Sequence, residues 1–150
     1  MTIAQDYLAG VSAEAAQALV DGRNGDPFSI LGPHGIGSTT VVRALAPGAQ
    51  QIEVVAREDS SLIGRLDLAH PGGLFAGRVV GGRPYKLRIH WPNAIQETED
   101  PYSFGLLLGE LDLHLIAQGT HYELGRCLGA QAMTIGGVKG VRFAVWAPNA

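Results

Sequence analysis

From Thr39 to about Thr98 apolar and polar residues alternate with period two, in short runs separated by turn signals every ten residues or so. In Thr-Val-Val-Arg-Ala-Leu-Ala-Pro, residues Val42, Ala44 and Ala46 share a face; Ile52 and Val54 do so in the next run, and Leu62, Gly64, Leu66 and Leu68 in the third. A Pro-Gly-Gly turn at Pro71 to Gly73 opens Leu74 to Val80. Tyr85, Leu87, Ile89 and Trp91 then point one way and Lys86, Arg88 and His90 the other, and Ala94 to Asp100 adds a last short run. Side chains on a strand alternate between its faces, so each run offers one apolar face to a core. No long helix separates the runs. The pattern predicts an antiparallel β-sandwich and argues against a parallel α/β sheet.

Helical spacing flanks this region on both sides. Ser12 to Val20 reads as a short helix with Ser12 as N-cap, Glu14 in the first turn and Gly22 at the end. Asp21 to Gly25 is a cluster of helix breakers. Leu106, Leu107, Leu108, Leu111, Leu115 and Ile116 fit a helical stripe that Gly119 would stop, which predicts a connector helix with one buried face. Val141 to Pro148 returns to alternation, as a single strand with no partner of its own. The expected organisation is an N-terminal helical segment over 1–25, a β-sandwich over 26–104, a connector helix and linker over 105–130, and the opening of a second sandwich over 131–150.

An internal repeat supports that last assignment. Val42-Arg43-Ala44-Leu45-Ala46-Pro47-Gly48-Ala49 resembles Phe143-Ala144-Val145-Trp146-Ala147-Pro148-Asn149-Ala150, an offset of 148 − 47 = 101. Ile30-Leu31-Gly32-Pro33 resembles Cys127-Leu128-Gly129-Ala130, an offset of 128 − 31 = 97, so four residues are inserted between the two matches. The chain thus reads as part of something longer, with a second sandwich of the same type beginning near its end.

Bulk properties exclude several classes. With a net charge of −3 and a pI near 5.9, the 150 residues lack the basic footprint of a nucleic-acid binder. No segment approaches the ~20 apolar residues of a membrane helix, and the first residues have neither the basic nor the apolar part of a secretory signal. Cys127 is the single cysteine, so no internal disulfide forms, and a cytoplasmic setting is expected.

Three motifs resemble landmarks of bacterial 1,4-α-glucan (glycogen) branching enzymes: Asp-Pro-Phe-Ser-Ile-Leu-Gly-Pro-His-Gly from Asp26, the stretch from Glu99 through Asp100-Pro101-Tyr102 to His121, and Gly-Val-Arg-Phe-Ala-Val-Trp-Ala-Pro-Asn-Ala from Gly140. The resemblance implies an immunoglobulin-like N-terminal sandwich, a second sandwich of the glycogen-binding type, a catalytic (β/α)₈ barrel and a C-terminal β-domain. It implies a glycosyltransferase of the α-amylase superfamily that cuts an α-1,4-glucan and rejoins the cut chain through an α-1,6 bond. This chain would then be an accessory module that positions the barrel or the donor chain. Its implied partners are α-glucan, reached through the whole enzyme, and the enzyme's other domains; the expected state is a monomer. A stand-alone α-glucan-binding module and a protein-interaction sandwich are the alternatives.

Retaining transfer needs two carboxylates roughly 5 Å apart. The clustered acids here are Asp67, Glu97, Glu99, Asp100, Glu110 and Asp112. Glu97, Glu99 and Asp100 read as a solvated strand edge, and Glu110 and Asp112 as the wet face of the connector helix, so no catalytic residue is expected. His34, His70, His90, His114 and His121 show no metal-site spacing, and no metal or cofactor is expected. Gly32 to Gly37 lacks the Lys-Ser/Thr of a phosphate loop and reads as a turn. For carbohydrate contact the candidates are Trp91, Tyr102 and Phe104, since sugars stack on aromatic rings; continuation of the core through Trp91, and packing of Tyr102 and Phe104 beside the connector, are the competing roles.

Overall fold

In a computed structural model, residues 7–148 are described. Seven strands, β1 (Gly32–Ile36), β2 (Thr39–Leu45), β3 (Gln51–Ala56), β4 (Leu62–His70), β5 (Leu74–Val79), β6 (Tyr85–Trp91) and β7 (Ala94–Thr98), form one antiparallel sheet in the order β1-β2-β5-β4-β3-β6-β7. Every residue of the principal core comes from these strands or their ends: Val42, Ala44 and Ala46, then Ile52, Val54 and Ala56, then Phe75, Val79, Tyr85, Leu87 and Ile89, with Ile63 and Leu66 between them. Among the described residues no helix contributes to this core, so the sheet folds over and covers itself. The order is that of an immunoglobulin-type sandwich, a four-strand layer β1-β2-β5-β4 and a three-strand layer β3-β6-β7, here joined where β4 pairs with β3. The predicted sandwich is the observed one.

Two details depart from the simple alternation. Gly32–Ile36 is an edge strand rather than a turn, because Pro33 needs no donor on its solvent side and β2 supplies all of the pairing. On β4, Ile63 and Leu66 are buried while Leu62 and Leu68 are exposed. The β3–β4 register slips at Val54/Val55, leaving Ile63 as an extra residue that takes the inward position. Close packing of β4 on β5 depends on glycine: a Cβ on Gly64 would stand 2.6 Å from the Arg78 carbonyl oxygen, and one on Gly77 would overlap the Arg65 carbonyl oxygen.

Helix α1 (Ala13–Val20) is capped by Ser12, whose Oγ accepts from the Ala15 N–H at 3.1 Å. Its Ala16 and Leu19 pack with Ile30, Leu31 and Leu74 in a second apolar cluster flanked by Leu45 and Tyr102. The outward face of β2 also carries Arg43, only 3% exposed. Its guanidinium donates to the carbonyls of Tyr7 at 2.8 Å and Ala9 at 3.0 Å, holding the segment before α1 on the sheet.

A separate compact unit begins at Leu106. It contains α2 (Glu110–Gln118), α3 (Leu124–Cys127) and an antiparallel hairpin of β8 (Gly129–Ile135) and β9 (Val138–Ala144). The expected connector helix is shorter than its leucine stripe: Gly109 is the N-cap, Leu106 to Leu108 precede it, Leu111 and Leu113 are exposed, and Ile116 is its buried residue. The expected lone strand also has a partner, since β9 pairs with β8. In β8, Gly-Ala-Gln-Ala-Met-Thr-Ile has too little apolar contrast for alternation to be visible in the sequence.

The repeat extends much further than the two sequence matches. At the 97-residue offset the N-caps Ser12 and Gly109 correspond, as do the buried Leu19 and Ile116 and the left-handed Gly22 and Gly119, both at φ 68°. Backbone bonds correspond one for one: Gly22 N–H to Leu19 O and Gly119 N–H to Ile116 O, Arg23 to Ala18 and Thr120 to Leu115, Leu31 to Pro27 and Leu128 to Leu124. Gly32 pairs with Arg43 and Gly129 with Ala144. The second hairpin has two more residues in each arm, five ladder pairs becoming seven, which accounts for the four inserted residues. Phe143 and Val145, 76% and 83% exposed, thus take the positions of the core residues Val42 and Ala44. Trp146 corresponds to Leu45, which lies on the helix-covered side. Asn149 and Ala150, the end of the second copy, lie outside the described residues.

Candidate functional site

The acids fall into separate structural roles. Glu97 accepts from Arg88 Nε at 2.8 Å, and Glu99 from Arg57 Nη2 at 2.7 Å. Glu53, on the outer face of β3, is met by Arg65, Arg88 and His90. Burial opposes its ionisation, but the His90 and Arg88 hydrogen bonds outweigh that and hold the carboxyl below its ordinary range. Such a basic-acidic network occupies the charges of this face with one another.

Asp100 does not lie on a solvated edge as expected; it is 2% exposed. Its Oδ2 accepts from the Tyr85 hydroxyl at 2.5 Å and its Oδ1 from the Tyr102 N–H at 2.9 Å, capping the 3-10 turn Pro101–Phe104. Burial pushes the Asp100 carboxyl up, partly offset by those two bonds; burial and the Asp100 charge push the Tyr85 phenol up. The Asp-Pro-Tyr motif is therefore a structural joint. The Tyr102 ring meets Phe28 edge-on, 4.9 Å between centroids at 67°, and packs into the α1 cluster. A Cβ on Gly32, at φ 88°, would stand 2.8 Å from the Tyr102 carbonyl oxygen, so β1 starts hard against this turn.

Of the candidate aromatics, Trp91 packs against the principal core, and its indole Nε1 donates to Gln96 Oε1 at 3.0 Å. The ring is half-buried at the end of β6 beside the exposed Pro92-Asn93 turn. Phe104 is half-buried at the end of the 3-10 turn. Trp91 packs on the principal core at the end of β6 and Tyr102 in the α1 cluster, so the structure does not gather the three candidates into one platform.

Residues 12–102 match the family described as alpha-1,4-glucan branching enzyme GlgB, N-terminal domain. The chain belongs to that family. The chain is also 58% identical over 145 residues to "1,4-alpha-glucan branching enzyme GlgB 2" of Rhizobium johnstonii, covering 97% of the chain and 20% of that protein. It is 56% identical over 135 residues to the GlgB branching enzyme of Cupriavidus pinatubonensis, covering 89% of the chain and 18% of that protein. For the GlgB branching enzyme of Pseudomonas fluorescens Pf-5 the identity is 52% over 140 residues, covering 93% and 19%. The chain spans about one fifth of the length of these relatives. Among its described residues no helix is long and apolar enough to cross a membrane.

One constellation was not legible in the spacing. Asp112 from α2, His121 from the following turn and Cys127 from α3 bring their donor atoms within 4.8 Å of one another. His121 Nε2 lies 3.0 Å from Asp112 Oδ1 and 3.2 Å from Cys127 Sγ. Asp112, expected to face water alone, is held below the usual carboxylate range by hydrogen bonds from His121 and then Cys127, while burial and Asp112 push the Cys127 thiol up. The separations of 9 and 6 residues match no standard metal signature; only the tertiary fold makes them neighbours.

Proposed function

We propose that this chain is the accessory N-terminal module of a 1,4-α-glucan branching enzyme, itself non-catalytic, which positions the catalytic domain or the donor glucan chain. The observation that carries this reading is the accounting of its acids. Among the described residues, Glu53, Glu97 and Glu99 are bound to arginines, Asp100 to Tyr85 and Asp112 to His121, which supports structural rather than catalytic roles for these five carboxylates. Membership of the GlgB N-terminal-domain family and the branching-enzyme names of the relatives support the same reading. The sandwich together with its leading helix α1 is one module, and the residues from Leu106 open a second sandwich of glycogen-binding type. In the cytoplasm the whole enzyme acts on α-glucan, as a monomer.

The isolated chain, incubated with amylose and assayed for new α-1,6 bonds, is expected to form none; their formation would overturn the non-catalytic assignment. Electrophoresis through a glycogen-containing gel tests the competing reading, a module that grips glucan itself. Unchanged mobility is the expected result, because Trp91 and Tyr102 are engaged in packing and Phe104 is half-buried.

A further inference from the structure

In the first unit the positions equivalent to Asp112, His121 and Cys127 are Ala15, Asn24 and Ile30, each 97 residues earlier. Asn24 uses its Oδ1 to accept the Asp26 N–H at 2.7 Å, and His121 uses its Nδ1 to accept the Glu123 N–H at 3.1 Å. In each turn the side chain at this position contributes one acceptor. Histidine supplies it and adds a second nitrogen, which faces a carboxylate and a thiol that the turn does not need. Ala15 and Ile30 join the apolar cluster under α1, whereas the described residues after Gly105 bury only Ile116 and Cys127 among their apolar side chains.

We propose that Asp112, His121 and Cys127 are the protein ligands of one divalent transition-metal ion, zinc above all, which staples α2 to α3. A thiolate, an imidazole and a carboxylate form a donor set of the kind that zinc takes. Zinc bonds of about 2.0–2.3 Å in a tetrahedron place ligand atoms roughly 3.3–3.7 Å apart. The observed 3.0 and 3.2 Å lie a few tenths of an ångström inside that range, as expected for donors drawn together by hydrogen bonds. One ring nitrogen faces both other groups, which suits convergence on an ion. A nucleophile relay would instead use the two nitrogens separately. The His121 and Asp112 side chains are 7% and 38% exposed, so the fourth position opens to water on the Asp112 side.

Binding proceeds with the protons accounted for. The Cys127 thiol loses its proton to solvent and forms the metal–sulfur bond. The neutral imidazole keeps one proton but moves it from Nε2 to Nδ1, and the exposed Glu123 N–H turns from Nδ1 to water.

The test uses the whole chain, stripped with a chelator and titrated with Co²⁺ as probe, then with Zn²⁺. Expected are one equivalent bound, a sulfur-to-cobalt charge-transfer band with the visible bands of a tetrahedral site, displacement by Zn²⁺, and about one proton released per Zn²⁺. His121→Asn restores the residue found at Asn24, so it keeps the turn while removing Nε2; it and Cys127→Ser are each expected to lose the band with the circular dichroism of the chain unchanged. Absence of the charge-transfer band in the parent chain overturns the proposal. So does binding that persists in both variants, which marks an adventitious ion only.

Discussion

The Tyr85 hydroxyl donates to Asp100 Oδ2 across 2.5 Å, joining the first residue of β6 to the N-cap of the 3-10 turn that closes the sandwich. This is a buried bond, with Asp100 only 2% exposed. Tyr85→Phe should lower unfolding stability by about 1–3 kcal/mol at neutral pH, since the acceptor is left with the Tyr102 N–H alone. Urea unfolding followed by tryptophan fluorescence measures it; an unchanged midpoint and slope would show that the bond carries nothing.

The same pair predicts a pH dependence. Burial raises the folded-state pKa of Asp100, so the folded state holds its proton more tightly than the unfolded state does. The resulting stabilisation is fully present below the ordinary aspartate range. It is lost as pH rises through the raised value. In Asp100→Asn this contribution disappears. The stability difference between parent and variant should therefore move in the parent's favour as pH falls through that window, as read from paired denaturation curves.

Gly77 marks where β5 lies closest to β4. Gly77→Ala should cost about 1–3 kcal/mol, because the new methyl meets the Arg65 backbone and only a backbone shift relieves it. Gly82→Ala, where a Cβ meets nothing within 4 Å, is the matched control and should lie within about 0.5 kcal/mol of the parent. Equal melting temperatures for the two variants would contradict the close approach.

Arg43→Leu tests how the segment before α1 is held. The substitution removes two hydrogen bonds to the Tyr7 and Ala9 carbonyls, which are 34 or more residues away in sequence. Hydrogen exchange over residues 7–11 is expected to speed up by about tenfold or more, consistent with ~1.5–3 kcal/mol for bonds to a charged donor. Exchange in β3 and β6 should stay unchanged.

Trp91→Ala removes a half-buried ring from the edge of the core, and a loss of about 2 kcal/mol is expected, below the 3–5 kcal/mol of a fully buried aromatic. Glycogen-gel mobility should be the same before and after. A slower parent whose retardation disappears in this variant would instead make Trp91 a sugar platform.

Alternation along β2, β3 and β6 placed the sandwich core residue by residue, because a strand with one buried face has no freedom over which side chains point inward. The Ser12 cap and the Gly22 and Gly119 stops were equally local and equally legible. The two matching stretches announced a repeat, since similar strands with similar turns need similar sequences. Tertiary structure alone decided the rest. The bulge at Ile63 depends on how β4 meets β3, and β8 is a strand because β9 pairs with it. The charges on Asp100 and Asp112 read as solvated because sequence reports polarity but not depth. One is buried and bonded to Tyr85, and the other meets His121, itself bonded to Cys127, at separations of 9 and 6 residues that only the folded chain brings together.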